Sequence, residues 1–215
     1  MKFHYLTIFP EMIESYIAEA MLKRASDKKL VSFDVKNIRD YTLDKHNKTD
    51  DRPYGGGPGM VMTPEPILRA FSKLKMKGKK TKVVMLSPSG KLFDNTMAAK
   101  WAKQYKDIVF ICGRYEGVDD RVRKILKADE ISIGNFVLTG GELPALVMTD
   151  AIARQIPGVL GDQLSVEELR TASPRTYTRP EILAYKGKNY KVPPVLMSGD
   201  HKKIDQWRKK QKKEQ

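Results

Sequence analysis

The chain is poor in the residues that build several common sites. Cys112 is the single cysteine among 215 residues, which excludes an internal disulfide framework and a cysteine-based zinc site. The three histidines, His4, His46 and His201, are far apart and lack metal-ligand spacing. Apolar runs are short, as in Ile108–Cys112, and none is long enough to cross a bilayer. The dinucleotide fingerprint G-x-G-x-x-G, the phosphate loop G-x-x-x-x-G-K-S/T and the nucleophile elbow G-x-S-x-G are all missing. These absences count against a dehydrogenase, a P-loop ATPase, a serine hydrolase and a zinc enzyme. No small-residue cleavage site precedes the Pro10-Glu11 helix start, so a cytosolic protein is expected.

Acidic residues are also in short supply. Lys and Arg number 40 against 26 Asp and Glu, a formal charge of +14. Residues 201–215 alone hold seven bases and two acids. A basic body with a more basic tail points to a polyanionic partner, nucleic acid first; the rival reading is a solvated terminal helix. With 40% hydrophobic residues the chain can bury a core of one good-sized domain plus a small appendage.

Strand-like and helix-like stretches alternate through the first 160 residues. Phe3–Phe9 is rich in β-formers. Pro10 opens a helix whose apolar positions, Met12, Ile13, Tyr16, Ile17, Ala20 and Met21, read as one core-facing stripe. Val31–Ile38 is a second strand, residues 39–60 a long loop, and Thr63-Pro64 an N-cap and first turn of a helix reaching Leu74. Three short strands then break into turns: Val83–Leu86 into Ser87 to Gly90, Ile108–Cys112 into Gly113 to Gly117, and Ile131–Ile133 into Gly134 to Gly141. A helix signal follows each, at Asp94, Asp119 and Glu142. The pattern predicts an α/β fold with a mainly parallel sheet, and puts the three loops at the carboxyl ends of strands, where ligands bind. Residues 161–181 read as a linker, and Asp200 caps a last basic helix with Ile204 and Trp207.

The three loops offer backbone groups and few charges. Such a surface suits an adenine in an apolar pocket, with Leu86, Ile133, Phe136 and Leu138 as walls; ordinary turns are the plainer reading. The loop from Thr49 to Met60 is different. Gly55, Gly56 and Gly57 followed by Pro58-Gly59 let a backbone approach a flat object, and Arg52 and Tyr54 offer a cation and a stacking face for bases or phosphates.

Taken together these strings resemble the bacterial tRNA (guanine-37-N1)-methyltransferases, the TrmD family of the SPOUT superfamily. The resemblance runs through nearly all of residues 1–160 and resumes over 177–211. It is carried by Asp50 to Met60, Leu86-Ser87-Pro88, Cys112 to Gly117, Ser132-Ile133-Gly134, Val137-Leu138, Gly140 to Pro144, Arg154, Ile156 to Gly161, Tyr177 to Pro180 and Pro194 to Gly199. It implies a SPOUT-type α/β domain with a C-terminal trefoil knot over 1–160, a flexible interdomain linker over 161–176, and a small, abbreviated helical C-terminal domain over 177–215 that binds tRNA. It implies a cytoplasmic homodimer with active sites at the subunit interface. S-adenosylmethionine would be held by Leu86, Ser87 and Pro88, by Gly113, Tyr115, Glu116 and Gly117, by Ser132, Ile133, Gly134, Asn135, Phe136, Val137 and Leu138, and by Gly140, Gly141 and Pro144. The tRNA anticodon arm would be met by His46, Asp50, Arg52, Tyr54, Gly55, Gly56, Gly57, Pro58 and Gly59, and by Arg154.

The implied reaction is methyl transfer to N1 of the guanosine 3′ to the anticodon. It calls for a base near N1 and a cation near O6. Arg154 is the candidate cation. The family's carboxylate base aligns with Ser173, or with Ala172 after a one-residue shift, so Glu168, beside Glu167, is the candidate substitute. Asn135 and Phe136 stand where many members have Asp and Tyr. Glu116 and Asp50 could help bind Mg²⁺ near the cofactor, and no metal is assigned. Two other readings stay open: an RNA-binding SPOUT protein with weakened catalysis, and a SPOUT methyltransferase acting on ribosomal RNA.

Overall fold

A computed structural model describes residues 1–76, 80–161 and 175–213. The chain forms two compact units, Met1–Leu160 and Gly161–Gln215.

The first unit runs β1 (Lys2–Thr7), α1 (Pro10–Ile17), α2 (Ala20–Asp27), β2 (Ser32–Asn37), a 3-10 turn (Ile38–Tyr41), β3 (Asp50–Asp51), β4 (Val61–Met62), α3 (Pro64–Ser72), β5 (Thr81–Leu92), α4 (Asn95–Gln104), β6 (Asp107–Ile111), α5 (Asp120–Leu126), β7 (Asp129–Ser132) and α6 (Glu142–Arg154). Five strands make one sheet in the order β2-β1-β6-β5-β7, and every pairing in it is parallel. The mixed α/β fold with a parallel sheet is therefore as expected.

Strand alternation sorts the core into two layers. Phe3, Tyr5, Ile108 and Phe110 point to one face, against Ile13, Leu22, Trp101, Met148 and Ile152 of the helices there. Leu6, Val109 and Ile111 point to the other, against Ile67, Ala70 and Val122. The buried His4 lies on this second face. Its Nδ1 is 3.2 Å from Asp34 Oδ2 and its Nε2 is 3.0 Å from the buried Asp107 Oδ1. The imidazole thus bridges two carboxylates across β2, β1 and β6.

Several local expectations change. The helix from Pro10 breaks after Ile17, and Ala20 restarts it at φ +46°. Ile13 is buried, whereas Met12 and Tyr16 are 45% and 48% exposed, so the supposed core stripe is only partly one. Thr63 precedes α3 but does not cap it; its hydroxyl donates to the Thr49 carbonyl at 3.2 Å. Asp94 and Asp119 do cap their helices, accepting from Met97 N at 2.6 Å and Arg121 N at 2.9 Å. Ser87 to Gly90, expected as a loop, lies within the long β5 as a bulge: Leu86 and Lys91 both register against Ile131.

The second unit holds a hairpin, β8 (Ile182–Tyr185) and β9 (Lys188–Lys191), a 3-10 turn (Pro194–Met197) and α7 (His201–Lys213). The basic helix begins where expected, with Asp200 accepting from Lys203 N at 3.1 Å. The hairpin corrects the purely helical expectation for this unit. Its Lys186-Gly187 turn has φ of +49° and +72°, the signature of a type I′ turn, with lysine where asparagine or aspartate is the usual signal.

Cys112 is fully buried, and burial pushes its thiol well above the ordinary range, with the nearby Glu142 carboxylate adding to the effect. A thiol reagent at pH 8 should titrate no thiol in the native protein and one after denaturation. An absorbance assay with an aromatic disulfide checks this.

Candidate functional site

The bulge within β5 and the loops leaving the carboxyl ends of β6 and β7 close around one cavity of about 350 Å³. The β5 bulge brings Leu86, Ser87 and Pro88. The turn after β6 brings Gly113, Tyr115, Glu116 and Gly117, together with Arg114. The loop after β7 brings Ser132, Ile133, Gly134, Phe136, Val137 and Leu138, and the entry to α6 brings Gly140, Gly141 and Pro144. All residues expected around the methyl donor line this cavity except Asn135, which sits exposed on the same loop.

Close backbone approach fixes the shape. Gly141 N donates to Gly113 O at 2.9 Å, and a Cβ on Gly141 would lie 2.8 Å from Cys112 Cα and 3.0 Å from Gly113 N. A Cβ on Gly134 would collide with the Phe136 ring, which packs over it. Tyr115 holds φ +59°, a left-handed conformation uncommon for a non-glycine residue, in a turn closed by Gly117 N to Arg114 O at 3.1 Å.

Leu86, Ile133, Phe136 and Leu138 give the cavity apolar walls. Among the described residues, the backbone N–H and C=O groups of Asn135, Phe136, Val137 and Leu138 make no hydrogen bond within the protein. Backbone groups left this way call for water or a ligand. An apolar slot edged with free amide groups suits a flat heteroaromatic ring, and the volume lies within the ordinary range for small-molecule sites.

The residues that brace the cavity were not singled out in the sequence. Glu142 is fully buried; it accepts from Thr7 Oγ1 at 2.6 Å and from Arg114 Nε at 2.9 Å. Arg114 Nη1 also donates to the Thr139 carbonyl at 3.3 Å, and its guanidinium lies 4.6 Å from the Phe9 ring centroid. One side chain thus ties the β6 turn, the β7 loop and the end of β1 together. The only sequence signal was position: Arg114 and Glu142 each follow a cavity glycine.

The glycine-rich loop stands at the rim. Glu116 N donates to Met60 O at 3.0 Å, and Met62 N to Gly117 O at 2.9 Å. Gly59, at φ +78°, is packed against the Glu116 side chain, which a Cβ would displace. Asp50 pairs with Met62 across β3 and β4, and Arg52 and Pro53 lead to Tyr54, whose ring is entirely exposed. Gly55, Gly56 and Gly57 all have positive φ and open space around them; Pro58 follows, exposed. His46 lies in an exposed turn, its N–H donating to Asp44 Oδ1 at 2.8 Å. A second hollow of about 520 Å³ adjoins this loop, lined by Asp44, Lys48, Asp50, Asp51, Glu65 and Arg69 among others.

Arg154 is not brought to the cavity. It ends α6, whereas the cavity meets the start of that helix, about 18 Å away at 1.5 Å per residue. Among the described residues it has no ion pair or hydrogen-bond partner for its guanidinium. Glu168, Glu167, Ala172 and Ser173 lie outside the described residues. Among the described residues no group of three His, Cys, Asp or Glu could hold a metal ion, Glu116 and Asp50 included. No helix among them is long and apolar enough to cross a membrane.

Helices α1 and α6 also present exposed apolar side chains: Phe9 before α1, then Met12 and Tyr16, with Leu143 and Val147 on α6. Tyr16 Oη donates to Asp150 Oδ2 at 2.9 Å, joining the two helices, and this bond holds the tyrosine hydroxyl above its ordinary pKa.

A family model described as tRNA (Guanine-1)-methyltransferase TrmD matches residues 1–215. A tRNA (guanine-N(1)-)-methyltransferase of Staphylococcus epidermidis is 49% identical over 217 residues, covering 99% of this chain and 86% of its own. The protein of that name from Carboxydothermus hydrogenoformans is 46% identical over 215 residues, covering 98% and 82%. That from Clostridioides difficile is 45% identical over 217 residues, covering 98% and 92%.

Proposed function

The chain belongs to the tRNA (guanine-1)-methyltransferase TrmD family, and from that premise we propose that it methylates N1 of guanosine 37, 3′ to the anticodon of tRNA, with S-adenosylmethionine as donor. One observation supports the donor assignment above all: the apolar cavity edged by the free backbone groups of Asn135 to Leu138. When bound, the donor supplies a methyl group activated on a sulfonium. Ser132 to Leu138 would take the adenine, Leu86 to Pro88 and Pro144 would close over it, and Tyr115, Glu116 and Gly117 would flank the amino-acid end.

The remaining chemistry belongs to the protein. Guanine N1 carries a proton at neutral pH and has no free lone pair to offer. A base must take that proton, and a cation must meet the negative charge that spreads to O6. Arg154 is assigned as the cation and Glu168 as the base. Arg154 is remote from its own cavity, so the assignment requires a second copy. The apolar face of Met12, Tyr16, Leu143 and Val147 supports a homodimer with active sites at its interface. The loop of His46, Asp50 and Arg52 to Gly59 would meet the anticodon arm. Residues 1–160 then form the SPOUT methyltransferase domain with its trefoil knot, 161–176 the linker, and 177–215 a basic tRNA-binding domain in a cytoplasmic enzyme.

Nucleotide mapping tests the reading. With labelled donor, a transcript bearing guanosine at 36 and 37 should acquire 1-methylguanosine at 37, and a transcript with adenosine at 37 should not. In single turnover, Glu168→Ala should be slowed at least about tenfold and Glu167→Ala much less. Label confined to ribosomal RNA, or tRNA binding without methylation, would overturn the proposal.

A further inference from the structure

The second unit, proposed above to bind tRNA, carries an exposed surface none of whose side chains that reading names. Every residue of β8 and β9 is exposed, on both faces of the hairpin. A two-stranded hairpin is marginal in water by itself, so this one is built to be covered. Its register places Leu183 opposite Tyr190 and Tyr185 opposite Lys188. Alternation then puts Leu183, Tyr185, Lys188 and Tyr190 on one face.

The two tyrosines are diagonal neighbours across the strands, 58% and 54% exposed. Among the described residues neither ring packs against another ring. Tyr177 and Trp207, by contrast, pack on each other in the same unit, with centroids 6.3 Å apart. Lys186 Nζ lies 5.4 Å from the Tyr185 centroid. Residues 182–191 hold three lysines and no acid, and 175–215 hold twelve bases against four acids.

We propose that this face is a base-stacking platform for RNA. Tyr185 and Tyr190 each receive an unpaired base on an open ring face, and Lys188 on the same face and Lys186 in the turn hold the flanking phosphates. The inference rests on the tRNA reading and goes beyond it by naming the side chains of the second unit that grip the nucleic acid and the way they do so. Charge decides between RNA and an apolar protein partner. Three lysines within ten residues would lose hydration without a counter-charge against an apolar surface, whereas a phosphate chain supplies that counter-charge at each step. Aromatic rings are the side chains on which bases stack irrespective of sequence.

The test uses the full chain with a tRNA transcript and with an unstructured RNA oligonucleotide. Tyr185→Ala/Tyr190→Ala should raise the Kd for both RNAs at least about tenfold, while kcat at saturating tRNA and affinity for S-adenosylmethionine stay within about twofold. Tyr185→Phe/Tyr190→Phe should restore binding, because the ring face is kept. Tyr185→Leu/Tyr190→Leu should not, because only apolar area is kept. Lys188→Gln should flatten the dependence of Kd on salt. Unchanged RNA affinity in the double alanine variant would overturn the platform and leave tRNA methylation standing. So would rescue by leucine equal to that by phenylalanine, or weaker self-association in sedimentation, either of which marks a protein contact. A wild-type chain that grips the oligonucleotide through this face yet makes no 1-methylguanosine would support the platform and overturn the proposed reaction.

Discussion

Gly141→Ala should cost the protein its methyl donor. The glycine has φ −85°, which any residue adopts, so backbone preference is not at issue. Space is. The added methyl would stand 2.8 Å from Cys112 Cα and 3.0 Å from Gly113 N. Both are main-chain atoms at the end of the central strand β6, and neither yields as a flexible side chain would. Relief requires the entry to α6 to move away from the β6 turn, stretching the Gly141 N to Gly113 O bond. The Arg114–Glu142 pair spans the same gap and would be pulled with it. Overpacking of this kind costs about 1–3 kcal/mol. Expressed at the cavity, that is roughly a tenfold to hundredfold loss of affinity. Calorimetric titration with S-adenosylmethionine measures it, and a thermal melt shows how much of the cost falls on the fold. Gly56→Ala is the control: its φ of +80° resists alanine, but nothing lies within 4 Å and the residue does not line the cavity. It should lose about 1–2 kcal/mol of loop stability and bind the donor normally. A Gly141→Ala protein that binds within twofold of wild type would show that the cavity does not hold the donor.

The glycine comparison shows where sequence reading succeeds and where it stops. The strands at Phe3 to Phe9 and Ile108 to Cys112 were plain, because a parallel sheet covered on both faces leaves short, nearly continuous runs of β-formers. The loops after β6 and β7 were likewise legible, since glycine after a short apolar strand marks the carboxyl edge of such a sheet, whereas Ser87 to Gly90 proved to be a bulge inside β5. What could not be read was which glycine lacks room and which lacks only a conformational penalty. Gly141 and Gly56 look alike in sequence, and only the packing of a distant strand separates them.

Side chains that act through tertiary contacts were hidden for the same reason. Glu142 is a charged residue in a helix start, where the macrodipole alone would explain it. Its burial and its bonds to Thr7 and Arg114 join positions 135 and 28 residues away. His4 gave no sequence signal either, because Asp34 and Asp107 reach it only across the sheet. The α1 stripe failed in the other direction. Met12 and Tyr16 have the spacing of core residues and are exposed, because an eight-residue helix lying on the sheet edge buries Ile13 and turns its neighbours outward.

That exposed face gives Arg154→Ala its expected consequence. Arg154 is far along α6 from the cavity and has no partner among the described residues for its guanidinium. Its removal should leave donor affinity and the fold intact. If two copies meet through Met12, Tyr16, Leu143 and Val147 about a two-fold axis that sets their α6 helices antiparallel, the end of one α6 is carried toward the cavity of the other. The cation then stabilises charge on a guanine bound at a cavity that is not its own. Losing such a group costs roughly 10² to 10³ in kcat, with the KM for the donor unchanged. The sharper experiment mixes the two impaired chains at a donor concentration that fills the wild-type cavity but not that of Gly141→Ala. Gly141→Ala lacks a working cavity but keeps Arg154; Arg154→Ala keeps the cavity and lacks the cation. A mixed dimer has one site in which the good cavity faces the good arginine. Random exchange of subunits in a two-fold dimer makes half the dimers mixed, so activity should return to about a quarter of wild type. Sites completed within a single chain would give a mixture no more active than its two components, and that result would remove Arg154 from the shared site.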